Sequence, residues 1–388
     1  MIYLDNNATT YIADEVFEAI LPYLKEEYGN ASSIQHKLGR SANHAVEGAR
    51  AIVANHLNVK PKEMMFTSGS TESINMVLKG VFERYHLKGN HIITCQTEHK
   101  AVLNTCEYLE KKGAVVSYLP VDPNGKLDLQ LLRSSINERT ILVCLMAANN
   151  ETGIIHPIED IAEICQQNDT LFFCDATQYI GKEKLDLQRI PIDIVCFSGH
   201  KLHGPKGIGA LFIRRKSKPI QITPLIHGGN QEHGLRGGTY HSSGIVGLAK
   251  ALEVIDYSTN ASTLRDYFEE SLLAHIDECR VHAICHPRIP NTSNILFRGV
   301  KGSELMTNLP NIALSSGSAC VSGNRDPSHV LKAMHLSDED AYCSLRLSFS
   351  RYNTKAEVDT VIQELTDAVT KIRNSSPLWQ LYKTEKLK

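Results

Sequence analysis

The sequence predicts an α/β protein, a mostly parallel sheet flanked by helices and joined to a smaller α+β domain. Three observations carry this. Apolar runs of strand length alternate with stretches of helical periodicity between residues 64 and 255. Most of those runs close on a cluster of small and polar residues, as parallel strands do beneath a ligand crevice. Near residue 260 the pattern changes to shorter strands between helices, so 15–260 reads as a large domain and 1–14 with 261–388 as a small one. A chain of 388 residues also exceeds what one core usually serves.

The N-terminus, Met1-Ile2-Tyr3-Leu4-Asp5, starts on ordered-looking sequence, so no signal or transit segment is expected. Asp5-Asn6-Asn7-Ala8-Thr9-Thr10 is polar and turn-prone. Asp14 is placed to cap a helix whose apolar positions Val16, Ile20, Leu21 and Leu24 recur at helical spacing. A second helix runs from Arg40 to His56. Met64-Met65-Phe66 starts the alternation, followed by Thr67-Ser68-Gly69-Ser70-Thr71-Glu72 and a helix face of Ile74, Val77, Leu78 and Val81. Free N–H groups, the hydroxyls of Ser70 and Thr71, and the helix dipole favour an anion here. Ordinary helix capping explains the same residues. A nucleotide P-loop motif is missing.

Further strands are read at 91–94, 114–119, 140–146, 171–174, 192–197 and 209–213. The polar clusters 68–71, 98–99, 149–153, 175–178 and 198–201 fall at strand ends. No single cluster is specific, but five at equivalent ends can converge on one crevice. A Gly-rich region, His227-Gly228-Gly229-Asn230 and Arg236-Gly237-Gly238-Thr239, precedes a helix from Ser242 to Ile255.

Lys201 follows the apolar run Ile192–Phe197 within Ser198-Gly199-His200-Lys201. A lone loop lysine is ordinarily a solvated surface group. Against a strand end it loses water, which favours the neutral amine, and a neutral amine condenses with aldehydes. Ser198 and His200 can hold an anion beside it. A phosphate-bearing aldehyde, pyridoxal phosphate, is therefore the expected cofactor. Cys320 lies in Ser315-Ser316-Gly317-Ser318-Ala319-Cys320, among small polar residues, which predicts an exposed thiol; an incidental surface cysteine fits equally. Arg346 sits mid-strand, suited either to gripping a carboxylate or to a surface salt bridge.

Net charge is −2 with no basic block, so nucleic acid is not expected as a direct partner. No apolar run is long enough to span a bilayer. The ten cysteines are scattered, and Cys144, Cys174 and Cys196 lie in apolar runs, which suits reduced core residues in a cytoplasmic protein.

These segments, in this order, closely resemble the cysteine desulfurases of the NifS/IscS type, class V aminotransferases among the fold-type I pyridoxal phosphate enzymes. Tyr3-Leu4-Asp5-Asn6-Asn7-Ala8-Thr9-Thr10, Thr97-Glu98-His99-Lys100, Asn149-Asn150-Glu151-Thr152-Gly153, Asp175-Ala176-Thr177-Gln178 and the segments around Ser70, Lys201 and Cys320 carry the match. The resemblance implies a seven-stranded sheet of the pyridoxal phosphate transferase kind. It makes Lys201 the cofactor-linked lysine, His99 a stacking proton shuttle, Asp175 the partner of the pyridine nitrogen and Gln178, beside Asn150, a donor to the ring oxygen. Ser70, Thr71, Ser198 and His200 would hold the phosphate, with Thr239 reaching the phosphate of a second subunit in a homodimer. Arg346 and Asn150 would bind L-cysteine. Cys320 would attack its sulfur, become a persulfide and pass sulfur to an iron–sulfur scaffold protein, with Cys320 a transient cluster ligand, or to another acceptor in thio-cofactor or tRNA thiolation. Pro377-Leu378-Trp379 and Tyr382 resemble the segment that docks the scaffold. Rival readings are a selenocysteine lyase or another class V transferase, and a catalytically silent scaffold paralogue. Asn230, His233 and Gly237 depart from the glycine, arginine and serine common in the Gly-rich loop.

Overall fold

Apolar runs without alternation need cover on both faces, which a sheet between two helical layers provides. The computed structural model describes residues 1–258, 260–316 and 326–386. After a short first strand, β1 (Ile2–Tyr3), the chain builds a seven-stranded sheet. Its strands are β2 (Met64–Thr67), β3 (His91–Cys95), β4 (Val115–Leu119), β5 (Thr140–Met146), β6 (Leu171–Asp175), β7 (Ile194–Ser198) and β8 (Gly209–Ile213), in the order β2-β8-β7-β6-β5-β3-β4. Neighbours from β7 through β4 are parallel, while β8 runs antiparallel to both β7 and β2. The link from Ser198 to Gly209 is too short for a parallel crossover, which sets the direction of β8.

Helices α1 (Asp14–Lys25), α2 (Lys37–His56), α3 (Ser70–Tyr85), α4 (Lys100–Glu110), α5 (Leu129–Ser135), α6 (Ile158–Gln167) and α7 (Ser242–Glu253) flank the sheet. The period of two along each strand divides its side chains between two cores. On β7, Val195 and Phe197 join Phe66, Leu145 and Phe172 on the face covered by α2 and α7. Ile194 and Cys196 join Met65, Cys144 and Phe173 beneath α3 and α4. Cys144, Cys174 and Cys196 are fully buried and reduced, as expected.

A smaller antiparallel sheet follows α8 (Ala261–His275), with β9 (Cys279–Val281), β10 (Thr292–Phe297) and β12 (Ser344–Ser348) in the order β12-β10-β9. β11 (Ile312–Ala313) pairs in parallel with β1. Leu4 packs into this sheet's core with Phe268, Phe297, Leu345 and Phe349, whereas Ala13 and Val16 pack into the main body. Residues 5–12 therefore cross from one core to the other.

Asp14 does not cap α1. The N-cap is Ala13, without a side-chain bond, and Asp14 occupies the first turn, where its charge complements the helix dipole. The second helix begins earlier than read, at Lys37, because His36 Nδ1 accepts from Gly39 N at 3.1 Å.

The Gly-rich region is held by a buried ion pair. Arg50 on α2 donates to Glu232 Oε2 at 2.7 Å and Oε1 at 3.2 Å, and to Met64 O at 3.0 Å. Replacing Arg50 with methionine strands the Glu232 carboxylate without its partner. We expect a loss of about 3–5 kcal/mol, measured by denaturant unfolding. At Gly237 an added Cβ would lie 2.6 Å from Gly228 Cα, so this loop's backbone has no room for the serine common at that position. His233 is left-handed, with φ 57°.

Candidate active site

Parallel strands β3, β5, β6 and β7 end on the same edge, and their loops, with the start of α3, enclose a cavity of about 530 Å³. Ser70, Thr71, His99, Asn150, Asp175, Gln178, Ser198, His200, Lys201 and Arg346 all line it. The smaller body closes it with Met306, Leu314, Ser315 and Ser316, and the crossing segment with Asp5, Asn7 and Ala8. Thr239 is exposed and lies apart from this cavity. Cys320 lies outside the described residues; Ser316, four positions earlier, is on the cavity wall.

One end of the cavity is built for an anion. The N-cap of α3, Gly69, has no side chain to cover the helix N-terminus. Ser70 N donates to Ser198 Oγ at 2.8 Å, and the two hydroxyls are 2.8 Å apart. Thr177 Oγ1 joins them, 2.6 Å from Ser70 Oγ. Small hydroxyls at a helix start are the groups that bind phosphate oxygens. His200 turns its Nδ1 to Thr9 Oγ1 at 3.1 Å. Burial, with Lys201 and Lys206 nearby, lowers its pKa to about 4, so its ring is neutral near pH 7.

Two carboxyls sit at or just past strand ends here, Asp175 on the cavity and Glu98 buried behind it. Asp175 Oδ1 accepts from Thr177 N at 2.9 Å and also from Thr177 Oγ1 and Cys196 Sγ, which leaves Oδ2 out of these bonds. Glu98 is fully buried with Oε1 on Met146 N, while Oε2 has no partner among the described residues. Burial, with Asp175 close by, pushes the Glu98 pKa well above the usual carboxyl range. Asp175, not Glu98, lines the cavity, so it is the acid placed to meet a cationic ring nitrogen.

Lys201 stands at the mouth of β7, with Nζ donating to Asn7 O at 2.7 Å and Ala8 O at 2.6 Å. Burial and the Arg346 guanidinium lower its pKa from 10.5 to about 8, against the pull of Asp5 and Asp175. The free amine is the attacking form, and its fraction grows as pH approaches that pKa from below. Covalent loading of the empty protein with pyridoxal phosphate should therefore accelerate with pH and level off above about 8, followed by visible absorbance after mixing. His99, the N-cap of α4, accepts from Ala101 N at 3.1 Å through Nδ1 and faces the cavity. Loss of water on its protein side lowers its pKa, Asp175 opposes this and Lys201 adds to it.

Of its two roles read from the sequence, Arg346 does not take the surface salt bridge. It is buried and lines the cavity, and it forms an ion pair, though an internal one: Nη2 reaches Asp5 Oδ1 at 2.7 Å and Nη1 reaches Asn150 O at 2.9 Å. Its Nε is buried and has no acceptor among the described residues. The sequence reading left out Asp5 and Asn7 as site residues. The only local signal was a polar run between β1 and α1.

Pyridoxal phosphate fits this residue set. The glycine-led helix start and hydroxyls suit its phosphate, Asp175 its ring nitrogen and the Lys201 amine its aldehyde, within a volume typical of ligand sites. Among the described residues no group of three His, Cys, Asp or Glu side chains could hold a metal, and no helix is long and apolar enough to cross a membrane.

Comparison with known proteins agrees with this geometry. Residues 2–361 match the family described as aminotransferase class-V. The chain is 41% identical to the cysteine desulfurase IscS of Rickettsia typhi over 98% of its length and 94% of that protein's. It is 43% identical to the cysteine desulfurase IscS of Methylococcus capsulatus, covering 98% of this chain and 96% of that protein. Among solved structures it is similar to a NifS-like protein, with TM-score 0.88, 40% identity and coverage of 95% and 99%. It is also similar to SspA in complex with cysteine, with TM-score 0.83, 36% identity and coverage of 91% and 100%.

Proposed function

The chain belongs to the aminotransferase class-V family, and from that premise we propose that it is a cysteine desulfurase using pyridoxal phosphate to take sulfur from L-cysteine. One observation carries the reading. Asp175, Lys201 and Arg346 share a single cavity whose lining includes Ser316, four positions before Cys320 in the chain.

The cofactor, when bound, supplies an electron sink for the pair left behind when the substrate Cα loses its proton. Arg346 and Asn150 orient the substrate carboxylate. The Lys201 amine, neutral above about pH 8, takes the Cα proton, and the His99 ring moves protons on the facing side. Ser70, Thr71, Ser198 and His200 hold the phosphate, and Gln178 donates to the ring oxygen. The Cys320 thiolate attacks the substrate sulfur. A sulfur–sulfur bond forms as the carbon–sulfur bond breaks, leaving a Cys320 persulfide and alanine. The reduced carbon balances the oxidised sulfur, so no outside oxidant is needed.

The core that contains Leu4 and runs to Ile372 supports dividing the chain into residues 15–260 and 1–14 with 261–388. Exposed Thr239, outside its own cavity, supports a homodimer in which it reaches the neighbour's phosphate site. Leu378 and Leu381, 79% and 61% exposed on the last helix, support docking of an iron–sulfur scaffold or other sulfur acceptor. Loaded protein given L-cysteine and a thiol reductant should release alanine and sulfide in equal amounts. Amino transfer to a keto acid without sulfide would overturn the proposal.

A further inference from the structure

We infer that Lys182 is a positioning residue that holds the Gln178 amide with its N–H edge, not its carbonyl, available to the cofactor site. The inference rests on the function proposed above and adds a residue to it.

Lys182 lies one helical turn beyond Gln178 in sequence. Its Nζ donates to Gln178 Oε1, while Gln178 Nε2 donates to Asn7 O at 2.9 Å. A primary amide has two N–H donors and one carbonyl. One N–H is committed to Asn7 and the carbonyl to Lys182. The second N–H stays available on a buried side chain that lines the active cavity. Lys182 itself lines a different cavity, of about 380 Å³, which shares Lys201 with the first. The lysine therefore works from behind the site, on the carbonyl that should face away from it.

A buried carbonyl needs a donor. Without Lys182, Gln178 Oε1 loses its partner and gains a reason to turn. A turned amide would set its carbonyl against the cofactor's ring oxygen, acceptor to acceptor. The groups around the Lys182 amine are Lys201, Arg346 and His203, with Glu183, Lys184, Asp256 and Arg351 on the same cavity. Burial, with Lys201 and Arg346, pushes the Lys182 pKa well below the usual lysine value. Neutral or charged, the amine donates to Gln178 Oε1, so this bond does not depend on its protonation.

A donor to the ring oxygen favours the deprotonated form of the bound cofactor. In the holoenzyme, Lys182→Met should therefore raise the midpoint of the cofactor's pH-dependent absorbance by about one pH unit. Should that chain fail to fold, Lys182→Leu, which likewise carries no donor, should give the same rise. In a Gln178→Leu background the Lys182 substitution should move the midpoint no further. An equal shift in both backgrounds would show Lys182 acting as a charge and overturn the inference, as would cofactor-loaded Lys182 variants with the wild-type midpoint. A wild type with no such absorbance overturns the proposed function as well, so the two failures are distinguishable.

Discussion

Lys201→Ala should lower turnover of L-cysteine by roughly 10³-fold or more, the scale of losing a group that is both nucleophile and base. The fold should survive. Lys201 belongs to none of the three apolar cores, and the backbone of residues 5–10 is also held by Thr10 N on His200 O at 2.9 Å and by Gln178 on Asn7 O at 2.9 Å. The hydroxyls of Ser70 and Ser198 and the open start of α3 remain, so pyridoxal phosphate should still bind, but without its lysine-linked absorbance. Lys201→Arg should not restore activity, because a guanidinium stays protonated and cannot attack an aldehyde. Alanine production and the visible spectrum, measured on the same samples, check this. Turnover within tenfold of wild type would remove Lys201 from the mechanism.

Cys320→Ala should give the complementary pattern. Sulfide release should fall by roughly 10³-fold while cofactor content and spectrum stay those of the wild type. Proton exchange at the substrate Cα should continue, because Lys201, Asp175 and Arg346 are untouched and that step precedes sulfur attack. Exchange of deuterium from solvent into recovered L-cysteine measures it. Together the two variants separate proton removal from sulfur transfer. Sulfide release surviving in Cys320→Ala would move the nucleophile to another thiol, and among the described cysteines only Cys285 is exposed.

The strands and their polar ends were legible because buried parallel strands need unbroken apolar runs and ligand loops need small, hydrogen-bonding residues. Ser70, His99, Asp175 and Lys201 each sit in such a cluster, and the topology brings the clusters together. Asp5 and Lys182 were not legible, for different reasons. Asp5 gains meaning from Arg346, 341 residues away, and no local periodicity reports such a pairing. Lys182 resembles any loop lysine after a glycine until Gln178 is seen turned toward it. The cap assigned to Asp14 failed because its charge acts as well one position later, inside the first turn.

The placement of the first ten residues has a consequence for synthesis. Asp5 meets Arg346, β1 meets β11 and Leu4 N meets Ala313 O at 2.8 Å, so residues 2–5 find these partners only after residues 312–346 have been made. A nascent chain can build the main sheet while still tethered, yet the cavity above that sheet lacks a wall until residue 346 has emerged.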